Sequence, residues 1–294
     1  MDAADTAMNY ATKSKERYAI FQPQINQQAI ARLQLETDLR RSLKFQQLIV
    51  VYQPIVSLED HTVKGFEALV RWQHPTQGWI SPSEFIPIAE ETGLISAIDW
   101  WVLQEACQQV SQWQRDKKVN ESVAISVNMS GEMLCQADLQ PRLEHILLTT
   151  GIERGSLKLE ITERIMMEHN QKESTVLKQL KSLGIKLSID DFGTGYSSLE
   201  RLHQLPIDTL KIDRAFIQRM DEDDESLEII RTIINLAHGL EMDVIAEGIE
   251  EVEHISQLLW LKCEYGQGYL FSKPLQGAIA QKLISEALFS YQYD

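Results

Sequence analysis

From Ile49 onward, short apolar runs alternate with longer stretches in which apolar residues recur every three or four positions. The short runs suit strands and the longer ones amphipathic helices, so their alternation predicts β/α units. Strands are expected at 49–57, 62–71, 123–129, 156–162, 185–191, 208–213, 243–247 and 267–271. Helices are expected at about 95–115, 139–150, 171–183, 226–240, 251–260 and 276–287. Ser81-Pro82-Ser83-Glu84 predicts a further helix running to about Glu91, with proline at its first position and Ser81 accepting the Glu84 amide.

Upstream of this pattern, residues 24–48 are polar with apolar residues Ile30, Leu33, Leu35, Leu39 and Leu43 at helical spacing, which predicts a linker helix. Residues 2–16 read as a short helix and Tyr18–Phe21 as a strand. Two such elements cannot bury a core of their own, so they are expected to end another domain.

The 294 residues could form one large barrel or two smaller domains, and a hydrophobic content of 44% is ample for a sizeable core. With 43 acidic against 28 basic side chains the formal charge is −15, which argues against a general grip on long nucleic acid. An anionic substrate would need bound cations. Cys107, Cys135 and Cys263 are odd in number and far apart, so neither a disulfide framework nor a zinc cluster is expected, and a reducing cytoplasm fits. No apolar run approaches the roughly 20 residues needed to span a bilayer, so this segment is expected to be soluble and to make no membrane contact.

Strand after strand carries a polar or charged residue near its C-terminal end: Glu67, Asn128, Glu160, Asp190 with Asp191, Lys211 with Asp213, Glu247 and Gln267. A β/α barrel gathers all such ends at one mouth. Alternation along a strand turns Lys158, Glu160 and Thr162 to the barrel axis, with Ser188 and Asp190 beside them and Leu157, Leu159 and Ile161 facing the helices. Any one of these carboxylates alone reads as a solvated strand end; seven strands with the same feature do not. So many acids at one rim repel one another unless cations neutralise them, and oxygen ligands favour Mg²⁺ or Mn²⁺ over zinc. No histidine has HExxH spacing, and His74, His145, His169, His203, His238 and His254 read as structural residues in loops or on helices. Asp190-Asp191-Phe192-Gly193-Thr194-Gly195-Tyr196-Ser197-Ser198 directly follows a strand. It lacks the lysine of a phosphate-binding loop and suits a metal-holding loop better.

These segments stand in a long ordered series: YQPIV at 52–56, GFEALVRW at 65–72, PSEFIPIAEETGLI at 82–95, VNMS at 127–130, LEITE at 159–163, the Asp190–Leu199 loop, LKID at 210–213, AEGIE at 246–250 and GQGYLFSKPL at 266–275. From about Leu35 to Tyr291 the chain resembles the EAL-domain family of c-di-GMP phosphodiesterases, whose motif stands here as Glu67-Ala68-Leu69. The resemblance implies an α/β fold, a TIM-like eight-stranded β/α barrel that can have an antiparallel first strand. It also implies hydrolysis of c-di-GMP to linear pGpG with two ions of Mg²⁺ or Mn²⁺.

By the same resemblance, Glu67, Asn128, Glu160 and Asp190 would bind one ion and Asp190, Asp191 and Glu247 the other. Lys211 would contact the attacking water, with Gln267 beside it, and Glu163 would brace the Asp190–Ser198 loop. Gln53, Leu69, Arg71, Asp213 and Pro274 align with substrate-contacting positions. Residues 1–22 resemble the C-terminal tail of a GGDEF domain, which leaves 23–48 as linker and 49–294 as the phosphodiesterase barrel. The parent protein is then expected to carry upstream GGDEF and sensor domains, with the sensor able to reside in a membrane, and to form a homodimer through its barrels.

Two rival readings stay in view: a c-di-GMP receptor without turnover, and a dimerisation or interaction module. The filled set Glu67, Glu160, Asp190, Asp191, Lys211 and Glu247 counts against the first. The acidic run at 221–225 reads as the solvated start of the following helix, favoured by its dipole. At least one of Trp100 and Trp101, on a predicted helix, is expected to pack into the barrel's outer core.

Overall fold

The computed structural model of the chain describes residues 23–116, 123–168, 171–193, 199–220 and 224–286. The helix expected at 2–16, the strand at 18–21 and residues 221–223 of the acidic run lie outside them. The described strands are β1 (Leu48–Ser57), β2 (Val63–His74), β3 (Gly78–Ile80), β4 (Ala124–Asn128), β5 (Leu157–Thr162), β6 (Lys186–Phe192), β7 (Thr209–Ile212), β8 (Asp243–Glu247) and β9 (Tyr265–Gln267). The helices are α1 (Pro23–Ser42), α2 (Pro82–Glu91), α3 (Ile95–Arg115), α4 (Gly131–Leu134), α5 (Leu139–Thr150), α6 (Glu163–Glu168), α7 (Gln171–Ser182), α8 (Leu199–Gln204), α9 (Arg214–Ile217), α10 (Asp224–Gly239), α11 (Val252–Trp260) and α12 (Gly277–Glu286). No helix among the described residues is long and apolar enough to cross a membrane.

Eight strands close a ring in the order β1-β9-β8-β7-β6-β5-β4-β2, sealed by the β1–β2 pairing, while β3 adds to β2 as an antiparallel hairpin. Neighbours from β2 round to β9 run parallel, as crossover helices require. β1 is antiparallel to β9, with Val56 opposite Gly266, so the ring has the antiparallel first strand that the resemblance allowed.

The chain divides into two compact units, one of residues up to Ile49 with Arg71–Ile98, the other of Val50–Val70 with Asp99 onward. In the second unit the alternation works as the pattern demands. Leu157, Leu159 and Ile161 are buried on one face of β5, and Glu160 is buried on the other. Trp113 of α3 packs its ring on Tyr52 and Phe66, at centroid distances of 5.1 and 5.2 Å. Phe66 therefore anchors the outward face of β2 next to Glu67, which points the opposite way.

In the first unit, Leu35 and Leu39 of α1 are buried and the helix packs on α2. Trp72 meets Phe85 edge-on at 5.7 Å and donates its indole N–H to Gln47 Oε1 at 3.3 Å. His74, expected in a loop or on a helix, is the last residue of β2. Its Nδ1 accepts from the amides of Thr76 and Gln77, which leaves Nε2 to face Asp38 Oδ2 at 3.4 Å. The histidine is structural, as expected, but fastens a hairpin turn.

Several boundaries differ from expectation. The linker helix stops at Ser42, whose hydroxyl bonds back to the Leu39 carbonyl, and Gln46 takes φ 54° before the chain enters β1. The Ser81 side chain makes no cap; its hydroxyl meets Ser83 Oγ at 2.7 Å, and the Glu84 amide bonds the Ser81 carbonyl instead. The last strand covers 265–267 rather than 267–271, because Phe271 and Ser272 fold back onto the Gly268 carbonyl in a turn. The short elements β3, α4, α6, α8 and α9 span three to six residues each, too few for a periodic pattern to declare them.

Candidate metal centre

Side chains from four strands meet one ammonium group: Glu160, Asp190 and Glu247 from the C-terminal halves of β5, β6 and β8, and Glu67 from the middle of β2. Lys211 of β7 is completely buried, and its Nζ lies 2.7 Å from Glu160 Oε2, 2.7 Å from Glu247 Oε1, 3.0 Å from Asp190 Oδ1 and 3.5 Å from Glu67 Oε2. Glu67 is held further by Asn128, which donates Nδ2 to Oε1 at 2.9 Å, and by Gln267, which donates Nε2 to Oε2 at 2.6 Å. The pairing register sets these meetings. Asn128 stands opposite Glu160, Thr162 opposite Asp190, and Glu247 opposite Gln267.

Strict alternation would send Asp190 and Asp191 to opposite faces. The register shifts between Ile189 and Phe192, and Asp191 takes φ 55°, so both carboxylates reach the mouth. The carboxylate oxygens form two overlapping groups, Glu67 with Glu160 and Asp190, and Asp190 with Asp191 and Glu247. Within each group the contributing atoms all lie within 4.8 Å of one another.

Burial and mutual repulsion leave this cluster short of positive charge. Burial pushes Glu160 up to about 7, with Glu67 and Asp190 adding to the rise and Lys211 opposing it. Burial, then Asp190 and Asp213, raises Asp191 to about 6. Glu247 is driven well above the carboxylate range by burial, against the pull of Lys211 and with repulsion from Asp190 and Glu67. Glu67 goes the other way: burial opposes it, but Lys211, Gln267 and Asn128 together favour the carboxylate. Burial also works against the Lys211 cation, and the surrounding carboxylates outweigh it, holding the ammonium well above its ordinary value.

The donor set fits a hard divalent cation. All the candidate ligand atoms are oxygens. Among the described residues Glu160 Oε1 is buried and accepts no hydrogen bond, and Asp190 Oδ1, though near Lys211, has no hydrogen-bond geometry to it. Such orphaned acceptors are costly unless something electropositive meets them.

The other expected residues fall as follows. Glu163, at the first position of α6, accepts the Gly193 amide through Oε2 at 2.8 Å and so grips the turn that ends β6; residues 194–198 lie outside the described ones. Gly193 sits at φ 99°, and an added Cβ would lie 2.7 Å from the Phe216 ring, so glycine is required there. Gln53 accepts from Gln267 Nε2 at 3.2 Å and donates to the Ser272 carbonyl at 3.4 Å. Asp213 caps α9 by accepting the Ala215 amide at 2.8 Å and lies against Asp191. Leu69 and Pro274 are half-buried in the second unit. Arg71 is half-buried on β2 in the first unit.

One positioning contact carries no signal in the sequence. Asp99 of α3 is buried and accepts the Ser130 amide at 3.1 Å, fixing the corner two residues beyond Asn128. A lone carboxylate in a helical pattern reads as a solvated face, so nothing in the residue order singles it out.

The chain has relatives among known proteins. The EAL domain family matches residues 36–274. The cyclic di-GMP phosphodiesterase NbdA of Pseudomonas aeruginosa is 40% identical over 274 residues, 93% of this chain and 34% of that protein. The cyclic di-GMP phosphodiesterase PdeR of Escherichia coli (strain K12) is 37% identical over 273 residues, 92% of this chain and 41% of that protein. This chain thus spans roughly a third to two-fifths of the length of these curated relatives. The solved PaMucR phosphodiesterase in complex with c-di-GMP superposes with a TM-score of 0.80 at 39% identity, covering 84% of this chain and 99% of that one.

Proposed function

The chain belongs to the EAL domain family, and from that membership and the carboxylate geometry we propose that it hydrolyses cyclic di-GMP to linear pGpG with two divalent cations, Mg²⁺ or Mn²⁺. The observation that carries this reading is the pair of carboxylate groups that share Asp190. Such sharing suits two hard cations a few ångströms apart. Glu67, Asn128, Glu160 and Asp190 would hold one, and Asp190, Asp191 and Glu247 the other. The names of NbdA and PdeR and the ligand held by PaMucR support the substrate.

When bound, the cations supply Lewis acidity toward water and neutralise charge at the phosphate. The remaining work falls to the chain's own side chains. Lys211, fixed by buried carboxylates, offers a cation that favours the deprotonated form of the attacking water. Gln267, tied to both Gln53 and Glu67, orients that water. Glu163 holds the Asp191 corner through Gly193. Gln53 and Asp213 supply polar contacts to the substrate, and Leu69 and Pro274 flank its guanine. Water adds to phosphorus, the bond to one ribose 3′ oxygen breaks, and the departing oxygen takes up the proton, which leaves a 5′-phosphate.

The reading extends to organisation. Residues 1–22 are taken as the end of a GGDEF domain, 23–48 as linker and 49–294 as the barrel, within a longer chain whose upstream domains sense a signal. The length of the relatives supports this. A cytoplasmic setting for the barrel and a homodimer complete it, the latter checked by light scattering.

Chromatographic detection of pGpG after incubation with c-di-GMP and Mn²⁺ or Mg²⁺ tests the proposal. Product that requires the metal and disappears in Glu67→Ala and Lys211→Ala is the expected result. Binding of c-di-GMP without product in either metal would favour a receptor instead.

A further inference from the structure

Resting on the two-cation reading, we infer that the Lys211 ammonium competes with the cations for the same carboxylate oxygens, so that this residue weakens cation binding and sets the concentration at which the site fills. Its Nζ touches all three members of one carboxylate group, Glu67, Glu160 and Asp190, and two members of the other, Asp190 and Glu247. These contacts lie between 2.7 and 3.5 Å. A cation coordinated by the fully buried group of Glu67, Glu160 and Asp190 would stand within a few ångströms of a fixed positive charge in a poorly hydrated interior, where like-charge repulsion is several times its value in water; the group of Asp190, Asp191 and Glu247 is more open and the repulsion there is weaker.

The lysine cannot relieve that repulsion by swinging into solvent. Its side chain is fully buried, and its backbone is locked in β7, paired with Ile245 of β8. The charge balance gives the lysine a part at a filled site. Glu67, Glu160, Asp190, Asp191 and Glu247 against one ammonium leave four negative charges when all are ionised, which two divalent cations neutralise. Without the lysine the cluster would hold five, attract cations more strongly, and remain anionic when filled.

Mn²⁺ titrations of the whole chain, read by the electron paramagnetic resonance of the free ion, test this in wild type, Lys211→Met and Lys211→Arg without reference to turnover. Lys211→Met is expected to bind Mn²⁺ roughly tenfold or more tightly than wild type, and Lys211→Arg, which keeps the charge, is not. Wild type that binds Mn²⁺ while Lys211→Met binds it equally or more weakly would overturn the competition alone. Failure of wild type and variant alike to bind would overturn the two-cation reading, and the competition with it. Should Lys211→Met fail to fold, the wild-type lysine Nζ resonances decide. Lys211 is the fully buried lysine among the described residues, so its ammonium protons exchange slowly. Addition of Mg²⁺ is expected to shift that signal, and an unmoved signal would overturn the competition.

Discussion

Asp190 and Asp191 are neighbours in sequence, yet both place a carboxylate oxygen in the same group at the barrel mouth. They do so because Asp191 occupies the left-handed region at φ 55° where the register of β6 slips. Backbone conformation, rather than side-chain alternation, thus brings the second acid into the cluster. Asp tolerates that conformation better than most residues, but at some cost in strain.

Asp191→Gly separates the two roles of this position. Glycine adopts the left-handed region freely, so thermal or chemical denaturation is expected to show stability within about 1 kcal/mol of wild type. Divalent-cation affinity is expected to fall about tenfold or more, because one oxygen of the group formed by Asp190, Asp191 and Glu247 is gone. Asp191→Val should lose both, since a β-branched side chain fits the left-handed region poorly. Intact Mn²⁺ binding in the glycine variant would exclude Asp191 as a ligand.

Glu163 is expected to act through Gly193 and not by touching a cation. Glu163→Ala removes the acceptor of the Gly193 amide; Gly193 is itself exposed, so water can replace that acceptor and the cost is about 1 kcal/mol. Cation affinity should drop by about 10–100-fold as the Asp191–Gly193 corner loosens. Glu163→Gln keeps an acceptor oxygen and should recover most of both losses. Parallel urea melts and Mn²⁺ titrations check this, and a glutamine variant as impaired as alanine would point to direct ligation.

Much of this architecture was legible in the residue order. Helices α3 and α5 fall where the apolar spacing places them, and the strand ends do carry the acids that meet at Lys211. What escaped detection has local physical causes. The Asp191 bulge breaks the very alternation used to read strands. β9 is only three residues long, too short for an alternating pattern, so its expected span drifted into the turn after Gly268. Asp99 matters through one backbone amide 31 positions away, a contact that no periodicity encodes. The Ser81 cap failed because a nearby hydroxyl, Ser83, offered its side chain a different partner.

Thiol chemistry should divide the three cysteines by burial. Cys107 and Cys263 are pushed up to about 12 by burial, Cys263 also by Glu264, whereas Cys135 is exposed. At pH 8, a disulfide reagent is expected to label one thiol per native chain and three in denaturant. The sign of the linked pH effect follows. Above about pH 9 the unfolded thiols ionise while the two buried ones stay protonated, so the folded state binds more protons and its stability falls as pH rises. Cys107→Ala with Cys263→Ala should flatten that alkaline decline in denaturation midpoints, and rapid labelling of all three native thiols would contradict the burial.

Gly268 offers the sharpest steric test of how the site is positioned. A Cβ built there would lie 2.0 Å from the Ile249 carbonyl oxygen and 2.4 Å from the Ile249 amide nitrogen. Both obstacles are backbone, so no rotamer change can relieve the clash. The Ile249 amide also bonds the Gln267 carbonyl at 3.1 Å, and the Leu270 amide bonds the Ile249 carbonyl at 3.1 Å, which locks the two segments together. Gly268→Ala must therefore push the chain after β9 away from the Glu247–Ile249 corner, at about 1–3 kcal/mol by the usual cost of overpacking. The displacement begins one residue from Gln267, whose amide holds Glu67 at 2.6 Å. Cation affinity should consequently weaken along with stability, even though residue 268 contributes no ligand. Gly266→Ala supplies the comparison: its Cβ would meet the side-chain tips of Ile249 and Leu58 at 2.5 and 2.7 Å, which can shift. Denaturation curves and Mn²⁺ titrations of the two variants should rank Gly268→Ala as the more damaging in both, and equal damage would mean that the turn does not transmit its position to Gln267.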